Sequence, residues 1–244
     1  IHSSFKEAYM NKYLDNPIPV IADPGNCERR AFIDSPLVDI EPNDKLLIEM
    51  QYPILGFENA EKRCMARKEV VEMLYRAAEN LPKGHKFVIW DAWRPFALQK
   101  ELFISYSSKI IKEFHLEDLT SEEQEREIAK FIADPIPDEE LPPAHTTGGA
   151  IDLTIMGPNG KYLDFGTEFD AFTEKTRAAY YETIDIEGDS KAKEIRDNRR
   201  LLYNLMMEAG FGNLPSEWWH YEYGDKNWAD IQGKSALYKG IFEY

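Results

Sequence analysis

The chain has 244 residues, 43% of them hydrophobic, and its 44 acidic against 29 basic side chains leave a formal charge of −15. That length can bury one substantial core, and the negative balance repels anionic polymers, so broad nucleic-acid binding is excluded. No apolar run approaches the roughly 20 residues of a membrane span, and Ile1-His-Ser-Ser-Phe-Lys-Glu7 holds no signal-peptide core; a cytoplasmic home is expected, with export left open because the chain begins at Ile1.

Pro17, Pro19, Pro24, Pro36 and Pro42 punctuate the start. Such spacing disfavours long helices, so residues 1–45 are expected as an irregular extension wrapped over a single domain spanning 46–244. From Lys68 to Leu81 the apolar residues Val70, Val71, Leu74, Ala77, Ala78 and Leu81 recur at helical spacing, and Pro82 and Gly84 stop the helix. Phe87-Val-Ile-Trp90 reads as a short strand delivering Asp91 and Arg94. A helix then starts at Phe96 with Leu98, Leu102, Phe103, Tyr106, Ile110 and Phe114 turned inward, which sets Arg94 at a strand-to-helix corner.

An acidic insert, residues 116–140, follows, either a lid or surface decoration. Within it Thr120-Ser-Glu-Glu123 is a capping-box pattern that opens a helix through Ile132. Ala150, Asp152 and Thr154 alternate with Ile151, Leu153 and Ile155, the mark of a strand with one apolar face and one face that carries Asp152 out of the core. Gly148-Gly149 lets the chain turn so that His145 returns over the same strand end. Ile195–Ala209, closed by Gly210, is the last strong helix, and Trp218–Tyr223 is an aromatic strand with Glu217 in the turn that enters it. The whole reads as α+β, a small antiparallel sheet flanked by helices rather than a doubly wound parallel one. Gly148-Gly149 precedes a strand with an acid, not a helix with a lysine, so nucleotide chemistry is disfavoured.

His145, Asp152 and His220 supply two nitrogen donors and a carboxylate, with Glu217 as a spare acid. A hydrolytic zinc takes three protein ligands and keeps one position open, and this set matches it with one Zn2+ per chain. Taken alone, His145 is an ordinary loop histidine. Only five His occur in the chain, however, and two of them sit in segments that also offer a suitably spaced acid. Cys27 and Cys64, far apart and outside any C-x-x-C pattern, are expected as buried or idle thiols that only export would let pair.

The segments Trp90-Asp-Ala-Trp-Arg94-Pro95, His145 to Leu153, Phe165-Gly-Thr-Glu-Phe-Asp170, Asn198-Arg-Arg and Glu217-Trp-Trp-His220-Tyr221 resemble, in that order, the VanX-type D-alanyl-D-alanine dipeptidases. These zinc peptidases are related to D,D-carboxypeptidases and to the Hedgehog zinc domain, and the resemblance runs from about Tyr52 to about Tyr223. It implies the same α+β zinc fold, with His145, Asp152 and His220 as metal ligands and Glu217 as general acid and base. It further implies that Arg94 faces the scissile carbonyl, rather than forming only a surface ion pair with Asp91, and that Asp170, with Tyr52 beside it, holds the substrate's free ammonium. The partner implied is a small peptide, most simply a D-Ala-D-Ala-type dipeptide of the bacterial cell wall, hydrolysed by a zinc-activated water. No feature sets an oligomeric state. One departure stands out: Pro143-Ala144 occupies the place of the family's Ser-Ser pair before the first zinc histidine, removing two hydroxyl donors near the dipeptide. A D,D- or L,D-carboxypeptidase or another dipeptidase acting on stem peptides is therefore the alternative, and a non-catalytic zinc module the more distant one.

Overall fold

Phe87-Val-Ile-Trp90 and the alternating Ala150–Ile155 lie side by side at the centre of the computed structural model, which describes residues 12–25 and 27–244. The opening Ile1–Glu7 stretch, read above for a signal core, lies outside the described residues. In chain order the first half holds β1 (Leu37–Asp39), β2 (Leu46–Ile48), α1 (Gln51–Ile54), β3 (Met65–Arg67), α2 (Lys68–Glu79), β4 (Lys86–Asp91), α3 (Phe96–Glu113) and α4 (Ser121–Ile128). A 3-10 turn at Ala144–Thr147 leads into β5 (Ala150–Met156), followed by α5 (Tyr180–Thr183), α6 (Ser190–Ala209), β6 (Gly212–Asn213), β7 (His220–Glu222) and α7 (Lys226–Ile231).

Five strands form one sheet in the order β2-β4-β5-β7-β6, and β1 pairs with β3 in a separate antiparallel ribbon. The α+β reading holds, with one difference: β2 runs parallel to β4, so the main sheet is mixed. The cause is the connection between them, which passes through α1, β3 and α2 and is long enough for a crossover. Residues 12–45 are largely irregular apart from β1, and they bury Tyr13, Ile18, Cys27 and Leu37 against the remainder.

The helices follow their apolar stripes. In α2, Val70, Val71, Leu74, Ala77 and Ala78 are all buried. Burying a Val or Leu is worth about 1.5–3 kcal/mol, against intrinsic helix preferences of at most about 0.7 kcal/mol for ordinary residues, so packing decides the position of this helix. The Thr120/Glu123 capping box forms, but α4 ends at Ile128 rather than Ile132. Beyond it the chain turns inward so that Phe131 packs on Phe114 and Phe172. At α6 the helix starts at Ser190, ahead of its apolar periodicity, because the Asp189 side chain caps it by accepting from Ala192 N at 2.9 Å. The second face of β5, expected to point out of the core, is buried too, since this is the middle strand of five and its Asp152 face looks into a cavity.

Three buried cations fasten the loops. Arg67 donates to the carbonyls of Thr147, Ser35 and Lys239, tying the turn that bears His145 to the segments before β1 and after α7. Arg199 donates to the carbonyls of Phe165, Lys175 and Arg177, which fixes the loop that bears Asp170. Arg94 is the third and lies in the cavity. Cys27 and Cys64 are both buried and unpaired, and no helix among the described residues is long and apolar enough to cross a membrane.

Gly149 is the tightest position beside the central strands: a Cβ there would come within 2.4 Å of the Tyr223 carbonyl oxygen. Gly149→Ala must push β7 off β5, and we expect it to cost about 1–3 kcal/mol in urea unfolding, the usual range for overpacking. An unchanged midpoint would mean that the two strands part easily.

Candidate metal centre and active site

The register of β5 against β7 sets Asp152 directly opposite His220. His145 reaches the same place from the 3-10 turn, whose last step is Gly148 at φ 75°, a left-handed conformation that glycine accepts without strain. The Nε2 of His145 lies 3.2 Å from His220 Nδ1 and 3.2 Å from Asp152 Oδ2, and His220 Nδ1 lies 3.1 Å from Asp152 Oδ1. All three side chains are buried.

The other ring nitrogens are already committed. His145 Nδ1 sits 2.8 Å from the Ala92 carbonyl oxygen and therefore donates, while His220 Nε2 sits 2.9 Å from Glu222 Oε2 and donates there. Neutral imidazoles would then turn two lone pairs toward each other at 3.2 Å beside a carboxylate, a repulsive arrangement unless a cation sits among them. Donors about 2.0–2.1 Å from a tetrahedral ion stand about 3.3 Å apart, close to the 3.2 Å between the two histidine nitrogens, each of which also lies against its own oxygen of Asp152. The donor set thus fits a divalent ion such as zinc. Electrostatics agree. Burial opposes the charged form of His220, yet its hydrogen bonds to Asp152 and Glu222 outweigh that and hold its pKa well above the ordinary value. Burial likewise opposes ionisation of Asp152, and the two histidines outweigh it, holding the carboxyl well below the usual range. A positive charge is favoured where the three donors meet.

Glu217 stands in the turn before β7, its Oε2 3.7 Å from His220 Nδ1. The turn is held by Glu217 N to Leu214 O at 3.0 Å and by Asn213 Nδ2 to Glu217 O at 2.9 Å, while Trp218 stacks on Phe165 at 4.2 Å. Burial raises the Glu217 carboxyl to about 8.

Arg94 leaves the end of β4 and is pinned on three sides: Nε to Asp91 Oδ2 at 2.9 Å, Nη1 to Gln99 Oε1 at 2.7 Å and Nη2 to the Tyr52 hydroxyl at 3.2 Å. The ion pair with Asp91 is therefore real but buried, not on the surface. Tyr52 hands the chain on by donating to Asp170 Oδ2 at 2.8 Å, and Tyr106 donates to the same oxygen at 2.8 Å. Asp170 adopts φ 55°, a left-handed conformation uncommon for a residue with a side chain. Its carboxyl, raised to about 6 mainly by burial, is held down in part by the two phenols.

All seven residues expected from the sequence line one cavity of about 400 Å³. Two further members, Tyr106 and Gln99, escaped sequence reading. Tyr106 fits the apolar stripe of α3, which hides its hydroxyl among core positions, and Gln99 belongs to no local pattern. The acidic insert is not mere decoration, because Arg126 and Ala129–Ala133 line the cavity and Gln99 Nε2 is tied to the Ala133 carbonyl at 2.9 Å.

The fold and the donor set together define a mixed α+β protein with a buried candidate site for one divalent ion, open to a small cleft. The chain belongs to the D-ala-D-ala dipeptidase family of M15 peptidases, whose family model matches residues 48–236. It is 32% identical over 158 residues to a D-alanyl-D-alanine dipeptidase of Synechocystis, an alignment covering 62% of this chain and 64% of that protein, hence less than two thirds of the relative's length. The D-alanyl-D-alanine dipeptidase of Escherichia coli K12 is 28% identical over 163 residues, covering 66% of this chain and 67% of that protein. That of Enterococcus faecium is 26% identical over 181 residues, covering 71% and 79%.

The geometry around Asp170 gives a titration test. A phenol that donates to the ionised carboxylate favours ionisation, so Tyr106→Phe should move the Asp170 titration in the metal-free protein upward from about 6. Carboxyl carbon NMR reads it directly, and a downward shift would contradict the hydrogen bond.

Proposed function

We propose that the chain is a zinc-dependent dipeptidase, with one Zn2+ per chain held by His145, Asp152 and His220, acting on a D-Ala-D-Ala-type dipeptide. The observation that carries this reading is the meeting of three metal-type donors with Glu217, Arg94 and Asp170 around one cavity of dipeptide size. When bound, zinc supplies an acidified water and Lewis-acid pull on a carbonyl oxygen.

The chain's own residues do the rest. Glu217, beside His220 and open to the cleft, takes the proton of the attacking water and returns it to the leaving amine. Arg94 is prepositioned by Asp91, Gln99 and Tyr52, so it can meet charge developing on the carbonyl oxygen without reorganising. Asp170, steadied by Tyr52 and Tyr106, receives the substrate's ammonium as a charge-assisted hydrogen bond. A longer or blocked peptide places no cation there and leaves the acid unpaired.

The free carboxylate needs a partner as well, and the Pro142-Pro143-Ala144 segment before His145 offers no side-chain donor. Lys226, the first residue of α7, lines the same cavity and reaches that segment, its Nζ donating to the Leu141 carbonyl at 3.2 Å. It forms no ion pair within 4 Å among the described residues; of the wall's other lysine and arginine on the insert, Lys130 is paired with Glu127 and Arg126 belongs to α4, not to the chain around His145. Lys226 is therefore our choice for the carboxylate end.

Metal analysis after dialysis should find about one zinc per chain in the wild type and loss of zinc in His145→Ala, Asp152→Ala and His220→Ala. Glu217→Ala should retain the metal and the fold yet lose turnover, and Arg94→Ala should lower kcat by about 100-fold or more, the scale for an oxyanion donor. If both variants turn over normally, the site is a non-catalytic metal module.

Substrate recognition is tested with D-Ala-D-Ala, its N-acetyl form and longer stem peptides. Only the free dipeptide should be cleaved, Asp170→Asn should reduce that activity, and Lys226→Met should raise KM by roughly 10-fold with kcat little changed. Efficient cleavage of the blocked or longer peptides would instead assign a carboxypeptidase.

A further inference from the structure

An ammonium held at Asp170 sets the length of a peptide on one side only. Extension at the amino end takes the cation away, but extension at the carboxyl end leaves it in place, and no catalytic group described above would keep the first residue of a tripeptide from being removed. A limit on the carboxyl side has to come from another part of the wall.

That part lies ahead of the family match, which begins at residue 48. Asp23 and Pro24, in the irregular N-terminal extension, line the same cavity as Glu217 and Lys226. The strap that carries them is tied on both sides. Upstream, Ile18 N donates to Glu182 Oε1 at 3.1 Å, and Asp23 accepts from both outer nitrogens of Arg177 at 3.0 and 3.1 Å. The chain around Arg177 in turn holds the Glu217 turn, with Ala178 N donating to the Pro215 carbonyl at 3.0 Å and Trp218 N to the Thr176 carbonyl at 2.9 Å. Downstream, Gly25 N donates to Asp230 Oδ2 at 2.7 Å. Asp230 follows Lys226 by four residues, a spacing that shares one helix face, so the strap meets α7 beside the lysine assigned to the substrate carboxylate.

Asp23 is exposed and Pro24 half-buried, so one side of the strap meets solvent while the other walls the cavity. Pro24 has a fixed φ and no N–H, which stiffens the strap at this point and offers no donor to a peptide passing beneath it. We propose that the Asp23-Pro24 strap is the specificity-determining wall that stops a peptide after its second residue, making the site a dipeptidase and not an aminopeptidase. The inference rests on the dipeptidase reading and on Lys226 at the carboxylate end, and it names what sets length there. With the strap displaced, a tripeptide keeps its ammonium on Asp170 and its first carbonyl before Arg94. Water then cleaves the first peptide bond, its hydroxyl going to that carbonyl carbon and a proton to the new amine.

Steady-state kinetics of the zinc-loaded full chain on D-Ala-D-Ala, D-Ala-D-Ala-Gly and D-Ala-D-Ala amide separate length from charge. Exposed ion pairs are individually weak, so the two ties are cut together in Arg177→Met/Asp230→Ala, with release read from faster hydrogen exchange at Gly25. A second variant, Asp23→Gly/Pro24→Gly, trims the wall itself. In both, kcat/KM for the tripeptide should rise by about 10-fold or more, while the dipeptide stays within about 3-fold of wild type. The amide should gain nothing, because its defect is the missing charge opposite Lys226. No gain for the tripeptide in a trimmed variant that still cleaves the dipeptide overturns the proposal, and so does no gain in the tie-cut variant once Gly25 exchanges faster. An equal gain for the amide also overturns it, since the strap would then guard charge and not length. A wild type that cuts the tripeptide as well as the dipeptide has no such wall. A wild type inactive on the free dipeptide removes the dipeptidase reading itself, a different failure from these.

Discussion

The pairing of Asp152 with His220 across β5 and β7 is the constraint on which the rest depends. Side chains alternate along a strand with a period of two, so a slip of one residue would replace the acid by Ile151 or Leu153 and send the carboxylate to the other face. Several features make sense as guards of that register. Gly149 lets Tyr223 approach, with Tyr223 N bonded to the Gly149 carbonyl at 3.0 Å. Leu153 N donates to the Trp219 carbonyl at 3.1 Å, and the tryptophans at 218 and 219 are locked in an aromatic cluster with Trp90, Phe165 and Phe169. The apolar side of the sheet is thus what holds the polar side in place.

Charge gives the site its character. Asp91, Asp152, Asp170, Glu217, Glu222 and Asp225 line or back the cleft, and the cations on its wall include Arg94, buried against Asp91, and Lys226. Concentrating acids in a place with little water is costly unless protons or cations offset them. The shifts show each remedy in use: Asp91 sits against Arg94, Glu217 and Asp170 are raised by burial, and His220 is drawn toward its cationic form. A dication among the three donors would relieve the same strain more completely. The overall charge of −15 belongs to the same pattern, since it attracts cations and keeps anionic polymers away.

Much of this could be read from residues in order, where a pattern is local. The apolar stripe of α2, the capping box of α4, the glycine that closes α6 and the alternation along β5 are each written within a few residues. The convergence of His145, Asp152 and His220 was legible because two short segments each carried a paired acid and histidine. The rest depends on contacts between distant residues. Tyr106 and Asp170 are 64 positions apart, and nothing in the stripe of α3 says that one of its aromatic members ends in a working hydroxyl. Glu222 looks like an alternating strand residue until β5, β6 and α7 close over it. The parallel pairing of β2 was hidden as well, for it follows from the length of a crossover rather than from any pattern within the strand.

The acidic insert meets the site through side chains on its inner wall and through the amide of Gln99, while the metal donors hang on the sheet and on the turn that Arg67 grips. Chemistry and enclosure are therefore carried by different stretches of chain with little shared framework. A lineage could shorten, lengthen or rewrite residues 116–140 and alter which small molecules fit, while the reacting groups stay where the central strands put them. Innovation in such a protein would be cheapest in the wall and most expensive in the floor.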